Sequence, residues 1–263
     1  MGTLLNLGRI FYGIVITEMG LHALYYRDFP YMLLPPKHSG MPGLAVIAAV
    51  SGILLVLAGV CIVFEKKTRP AALLLGSVLL SIFCFYFIPY QLMVSPNYLH
   101  FGDWENAAKE LALCSGAYVI AGCYPQKDES PLFRFLAKPI PFGSMLFAIT
   151  IISFSFDHFL YAKEAADYVP SWVPAHVFWI YFTGLALFAS GIAIILNIKR
   201  KLAATLLGAM ILTWFVILHI PRIVVSPLPY LASEITSAGI ALAYSGIAFI
   251  VAAKSPVSGT SQL

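Results

Sequence analysis

The sequence predicts an all-α integral membrane protein whose eight transmembrane helices form two parallel four-helix repeats. Three observations carry this expectation: a composition too apolar for water, eight hydrophobic runs of spanning length, and four sequence blocks recurring in the same order in both halves. Of the 263 residues, 60% are hydrophobic and 11% charged, against roughly 25% charged in an ordinary soluble domain. The mean hydropathy is +0.87. Only helices and closed barrels satisfy every backbone group in hydrocarbon. Apolar runs of about 20 residues without strict alternation are helices.

The runs are 4–26, 44–64, 71–93, 106–124, 142–161, 175–197, 203–225 and 233–253. No small-residue cleavage site follows the first run, which reads as a retained helix rather than a signal peptide. The fourth carries Lys109 and Glu110 near its start and is the least apolar. With the N-terminus inside, the inner side collects Arg9, Lys66, Lys67, Arg69, Lys127, Arg134, Lys138, Lys199, Arg200, Lys201 and Lys254. The outer loops hold Arg27, Lys37 and Lys163. Eleven against three is a strong positive-inside bias, so both termini are expected in the cytoplasm. The net charge of +4 lies in these short loops and is no sign of nucleic-acid binding.

The halves echo each other. "HALYY" (22–26) returns as "HFLYA" (158–162), and "EKKTRPAALLLGSVLL" (65–80) as "IKRKLAATLLGAMILT" (198–213). "IPYQLMVSPNYL" (88–99) returns as "IPRIVVSPLPYL" (220–231), and "KELALCSGAYVIAG" (109–122) as "SEITSAGIALAYSG" (233–246). The expected organisation is a first repeat over 1–124, a cytoplasmic linker over 125–141, a second repeat over 142–254 and a polar tail over 255–263. An even number of spans per repeat makes the halves parallel, related by an axis along the membrane normal.

In this topology all six histidines lie toward the outer face. His22 and His158 end helices 1 and 5, His38 and His100 lie in loops, His176 opens helix 6, and His219 nears the outer end of helix 7. Glu18 precedes His22 by one turn, and Asp157 adjoins His158. Glu110 and Glu234 open helices 4 and 8. Ionisable groups within a span cost about 2.5–3.5 kcal/mol at the helix centre, less near the interface, where Arg222 alone would be an anchor and each histidine a helix-end residue. Convergence from both repeats argues for a shared site.

His219 and Arg222 stand three residues apart and share a helix face. Pro221 removes a donor and bends the helix, turning both side chains toward Glu234, where Arg222 and Glu234 neutralise each other. The first repeat keeps Pro89 and Glu110 but has Phe87 and Tyr90 in place of the basic pair. The specialised pocket is therefore expected in the second half, with His158, His219, Arg222, Glu234, Trp214 and His176 as ligand or proton-relay candidates. Glu18, His22 and Glu110 are their first-repeat counterparts.

No GxGxxG, P-loop, HExxH or GxSxG motif occurs, so nucleotide binding, zinc proteolysis and hydrolase chemistry have no sequence support. No CxxCH points to haem. Cys61, Cys84, Cys114 and Cys123 form no CxxC pair and read as small packing residues. No metal is assigned, although His158, His219 and Glu234 are a conceivable ligand set.

"RIFYG" (9–13), "GLHALY", "DHFLY", "VPAHVFWIYFTGLALFASGIAI", "HIPR" and "SEITSAGIALAYSG" give the chain a resemblance to the DoxX family of bacterial membrane proteins. It extends over nearly the whole chain as two DoxX-like repeats and is closest over 144–253. Where family members read Glu-Trp-Thr in the last block, this chain has Ile235 in place of the Trp. The resemblance implies a four-helix membrane unit in a bacterial inner membrane, multi-pass. It also implies a link to thiosulfate:quinone oxidoreductase subunits, to redox complexes and to membrane integrity. Three functions follow as expectations. One is a scaffold or subunit associated with a redox complex, with the bilayer and a redox protein as partners. Another is a quinone-binding component using His158, His219 and Glu234, with quinone as the cofactor. The third is a pathway for a small anion or polar lipid group. Whether the chain is an enzyme, and its oligomeric state, stay open at this level.

Overall fold

The computed structural model describes residues 2–34, 42–125 and 130–254. Lys37, His38, Lys127 and the 255–263 tail lie outside the described residues. Among the described residues no strand occurs, and the long helices are α1 Thr3–Tyr26, α2 Leu44–Val63, α3 Thr68–Met93, α4 Glu105–Ala121, α5 Gly143–Leu160, α6 His176–Ile195, α7 Arg200–Val225 and α8 Leu228–Ala253. Among the described residues, seven segments are long and apolar enough to cross a membrane: α1, α2, α3, the Pro131–Leu160 stretch containing α5, α6, α7 and α8. The exception, α4, has 17 residues, about 25 Å at 1.5 Å each, and opens with Glu105, Lys109 and Glu110. The expected polar linker is partly helical, with a short helix at Pro131–Leu136 and a tight turn at Ile140–Phe142.

Burial follows side-chain size. In α8, rich in Ala, Gly and Ser, 72% of the spanning window is buried, against 17% for α7 and 22% for α2. Buried positions likewise dominate α4. Small residues let backbones approach and maximise packing where lipid removes the hydrophobic drive, so α4 and α8 sit centrally and the Leu- and Val-rich helices face outward. Gly8 and Gly246 mark the α1–α8 crossing: a methyl on Gly246 would stand 2.6 Å from the Gly8 carbonyl oxygen. Gly20 and Gly52 seal α1 against α2 in the same way.

Arginines tie one end of the bundle together. Arg9 Nη1 donates to the Ile62 and Val63 carbonyls, Arg69 Nη1 to those of Ala121 (2.8 Å) and Tyr124 (3.1 Å), and Arg200 Nη2 to that of Lys254 (2.7 Å). These carbonyls, at the ends of α2, α4 and α8, lack intrahelical donors. The start of α1 and the end of α8 share this terminal end. The ends of α3, α5 and α7 lie at the far end.

The halves repeat their irregularities. A π-helical turn occurs at Phe83–Phe87 in α3 and at Phe215–His219 in α7, 132 residues apart. After each, an N–H reaches five residues back, Ile88 to Phe83 and Ile220 to Phe215. Pro89 and Pro221 follow directly. A proline ring clashes with the carbonyl four residues earlier and offers no donor, and one widened turn absorbs both problems. The bend expected at Pro221 is therefore realised as a π turn within a continuing helix. The α2–α3 and α6–α7 turns also share left-handed residues, Glu65 with Asn197 and Lys67 with Lys199.

Matching hydrogen bonds place α4 against α8 differently from the sequence blocks. Cys114 Sγ donates to the Gly76 carbonyl and Ser245 Oγ to that of Gly208. Gly76 and Gly208 share the 132-residue spacing, so Cys114 is level with Ser245 and Glu110 with Ala241. The expected equivalence of Glu110 and Glu234 thus slips by about two turns, because repetitive Ala/Gly/Ser sequence aligns in more than one register. Among the cysteines, Cys114 is buried, but Cys84 is exposed on the helix surface and is not a core residue; all four are free.

Candidate functional site

A cavity of about 640 Å³ opens among α5, α6, α7 and α8 at the far end, with α4 closing one side. Its polar groups gather at that end, where Asp157, His158 and Tyr161 of α5 and its cap meet His219 and Arg222 of α7 and Glu234 of α8. Its deep wall is mostly apolar, with Ile151, Leu187, Met210 and Ile211 beside Tyr244, whose buried hydroxyl has no partner. Ile151 to Tyr161 along α5 is about 15 Å, so the cavity is amphipathic along its length.

The sequence stretch His219–Arg222 is positioned by the π turn. Arg222 makes a two-pronged pair with Glu234, Nε to Oε2 at 2.9 Å and Nη2 to Oε1 at 2.5 Å. The guanidinium also lies 4.4 Å from the centre of the Tyr168 ring, a favourable cation–π placement. Arg222 therefore spends its charge on Glu234 and Tyr168. His219 is different: its Nδ1 is buried and has no hydrogen-bond partner. His158 Nδ1 donates to the Phe154 carbonyl at 2.7 Å. In the neutral ring this leaves Nε2 with its lone pair, able to accept a hydrogen bond from a hydroxyl. Trp214 lines the wall, its ring 6.2 Å from that of Trp179.

Of the sequence candidates, His158, His219, Arg222, Glu234 and Trp214 converge on the cavity, while His176, at the start of α6, does not line it. Glu18, His22 and Glu110 also lie outside it. Glu110 is fully buried with neither carboxylate oxygen partnered. Glu18 Oε2 is buried toward α8, 3.3 Å from where a methyl on Gly239 would stand. The His22 ring packs on Tyr26, 4.6 Å between centres. Among the described residues no three His, Cys, Asp or Glu side chains are grouped as a metal ion requires.

Sequence reasoning missed much of the wall, Glu105, Lys109, Tyr161 and Tyr168 included. Glu105 and Lys109, paired at 2.8 Å, enter from α4 of the other half, and Lys109 also sits 5.7 Å from the Tyr31 ring centre. Their charges were visible as a weak spot in the fourth apolar run, yet nothing local shows which bundle they face. Tyr161 and Tyr168 lie in the 161–175 segment, whose Ala162, Ala166, Val169 and Val173 pack with Ile180, Trp179 and Trp214 as a small roof cluster.

No curated protein and no solved structure matches the chain. The match to a family falls on the first half, not on 144–253 where the sequence reading expected the closest resemblance. Residues 4–87, which span α1, α2 and most of α3, match the DoxX family model; that part of the chain is similar to DoxX proteins, and the apolar helices make the chain a multi-pass membrane protein.

Proposed function

We propose that the cavity holds a quinone or quinol and that the protein is a quinone-associated subunit of a redox complex in a bacterial inner membrane. The observation that carries this reading is the amphipathic cavity with two histidines at its polar end. A quinol hydroxyl needs an acceptor, which His158 Nε2 offers; a quinone carbonyl needs a donor, for which the unpartnered His219 ring is available. The apolar depth suits the first part of a prenyl tail, and about 640 Å³ is of ligand-pocket size. An anion pathway is less well supported, because its binding charge, Arg222, is already matched by Glu234.

In the same reading, α4 is an eighth span and the chain is a tandem duplication with termini in the cytoplasm. The matched π turns, prolines and turn conformations support the duplication, and the basic residues at the terminal end support the orientation. The far end then faces outward.

A scaffold reading has one observation in its favour, the Arg222–Glu234 pair that bolts α7 to α8. His219→Ala separates the two. Protein purified in mild detergent is titrated with a short-tailed benzoquinone, followed by tryptophan quenching, and its co-purified quinones are identified by mass spectrometry. Binding should be lost in the variant while the unfolding midpoint stays close to that of the parent. If the parent shows neither quenching nor co-purified quinone, the scaffold reading stands instead.

A further inference from the structure

A second, smaller cavity of about 300 Å³ lies at the far end beside the first, lined by Gln91, Asn97, Asp103 and Asn106 among others. Gly102 lines both cavities. Between them stands a row of three polar side chains that the quinone reading does not use. Tyr161, which lines the large cavity, has its hydroxyl 3.0 Å from His100 Nε2. His100 Nδ1 is 3.7 Å from Asp103 Oδ1, an ion-pair distance, and Asp103 lines the small cavity. The His100 side chain is 54% exposed, so this end of the row is wet.

We propose that Tyr161 and His100 form a proton path between the large cavity and the aqueous phase at the far end, with Asp103 orienting His100. The Gly102 N–H donates to Tyr161 Oη at 3.3 Å, which occupies one lone pair and leaves the phenolic O–H free to point at His100 Nε2. His100 then carries its proton on Nδ1, toward Asp103. When a ligand hydroxyl in the large cavity gives its proton to Tyr161 Oη, Oη passes its own to His100 Nε2. Nδ1 releases a proton to the solvent that the exposed His100 side chain meets beside Asp103. One proton enters the row, one leaves, and no electron moves. Asp157, Glu164, Glu105 and Lys109 are other charged groups lining the large cavity near this wall, and Glu105 and Lys109 neutralise each other. An occupied cavity excludes water, and the row then supplies the exchange that water would otherwise provide. The inference rests on the binding reading above.

The test uses an alkylated hydroxycoumarin, an amphiphilic phenol whose fluorescence reports its own ionisation. It is bound to the full chain in detergent, and the solution pH is jumped in a stopped-flow instrument. His100→Gly should bind the probe as the parent does but exchange its proton more slowly, by on the order of a hundredfold, and added imidazole should restore the rate. Tyr161→Phe, which keeps the ring, should slow exchange without imidazole rescue. Unchanged exchange in both variants, with binding intact, overturns the relay and leaves the binding reading standing. Slowing that imidazole does not relieve makes His100 a structural prop and equally overturns the relay. A probe that fails to bind the parent removes the binding reading, and the relay with it.

Discussion

Breaking the Arg222–Glu234 pair gives the most informative perturbation, because the two single variants strand different charges. The side chains are 31% and 17% exposed, between the surface and the core. Losing one partner of a fully buried pair costs about 3–5 kcal/mol, while an exposed pair contributes about 0–1 kcal/mol. Arg222→Leu strands the less exposed Glu234 carboxylate and should cost about 3 kcal/mol. Glu234→Gln leaves the guanidinium on the Tyr168 face, 4.4 Å from its centre, and should cost about 1.5 kcal/mol. Combining the two substitutions removes both buried charges, so the double variant should recover about 2 kcal/mol of the summed loss. Equilibrium unfolding in mixed micelles, run as a double-mutant cycle, measures this directly. A coupling energy below about 0.5 kcal/mol would refute the reasoning, since two residues that close the same helix contact would then be energetically independent.

Three further outcomes are expected. Gly246→Ala should destabilise by about 2 kcal/mol, as overpacking does, because the new methyl meets the Gly8 carbonyl oxygen at 2.6 Å; Gly2→Ala, with nothing nearby, serves as the control and should leave the unfolding midpoint unmoved. In a cysteine-free background, Asp167→Cys should react with an impermeant maleimide on intact cells and Lys201→Cys only after lysis. The reverse pattern would invert the proposed orientation. Trp214→Phe should remove most of the quenching by a short-tailed benzoquinone, whereas Trp172→Phe, outside the cavity lining, should retain it.

Much of the architecture was legible in the sequence because lipid imposes a one-dimensional rule. Every spanning segment must satisfy its own backbone, so length and hydropathy mark most helices to within a few residues. The exceptions are instructive: α8 begins at Leu228 rather than at 233, and α4 is shorter than its apolar run. The proximity of His219, Arg222 and Glu234 was also local enough to read, since a helix face and a short connection to the next helix hold them together. The register of α4 against α8 was not legible, because Ala, Gly and Ser recur often enough to align in several ways. Only the Cys114–Gly76 and Ser245–Gly208 hydrogen bonds decide it.

Sequence alone thus determined the solvent of this protein, its all-helical class and the closeness of His219, Arg222 and Glu234. Tertiary structure decided which polar groups share a space. Glu105 and Lys109 cross from one half into the cavity of the other, Tyr161 reaches His100 across the wall between two cavities, and the buried Glu110 carboxylate is left without a hydrogen-bond partner. The physical reason is that hydropathy ranks residues by depth along the membrane normal, whereas facing is set by rotation of each helix about its own axis. That rotation depends on which small residues let neighbouring backbones touch.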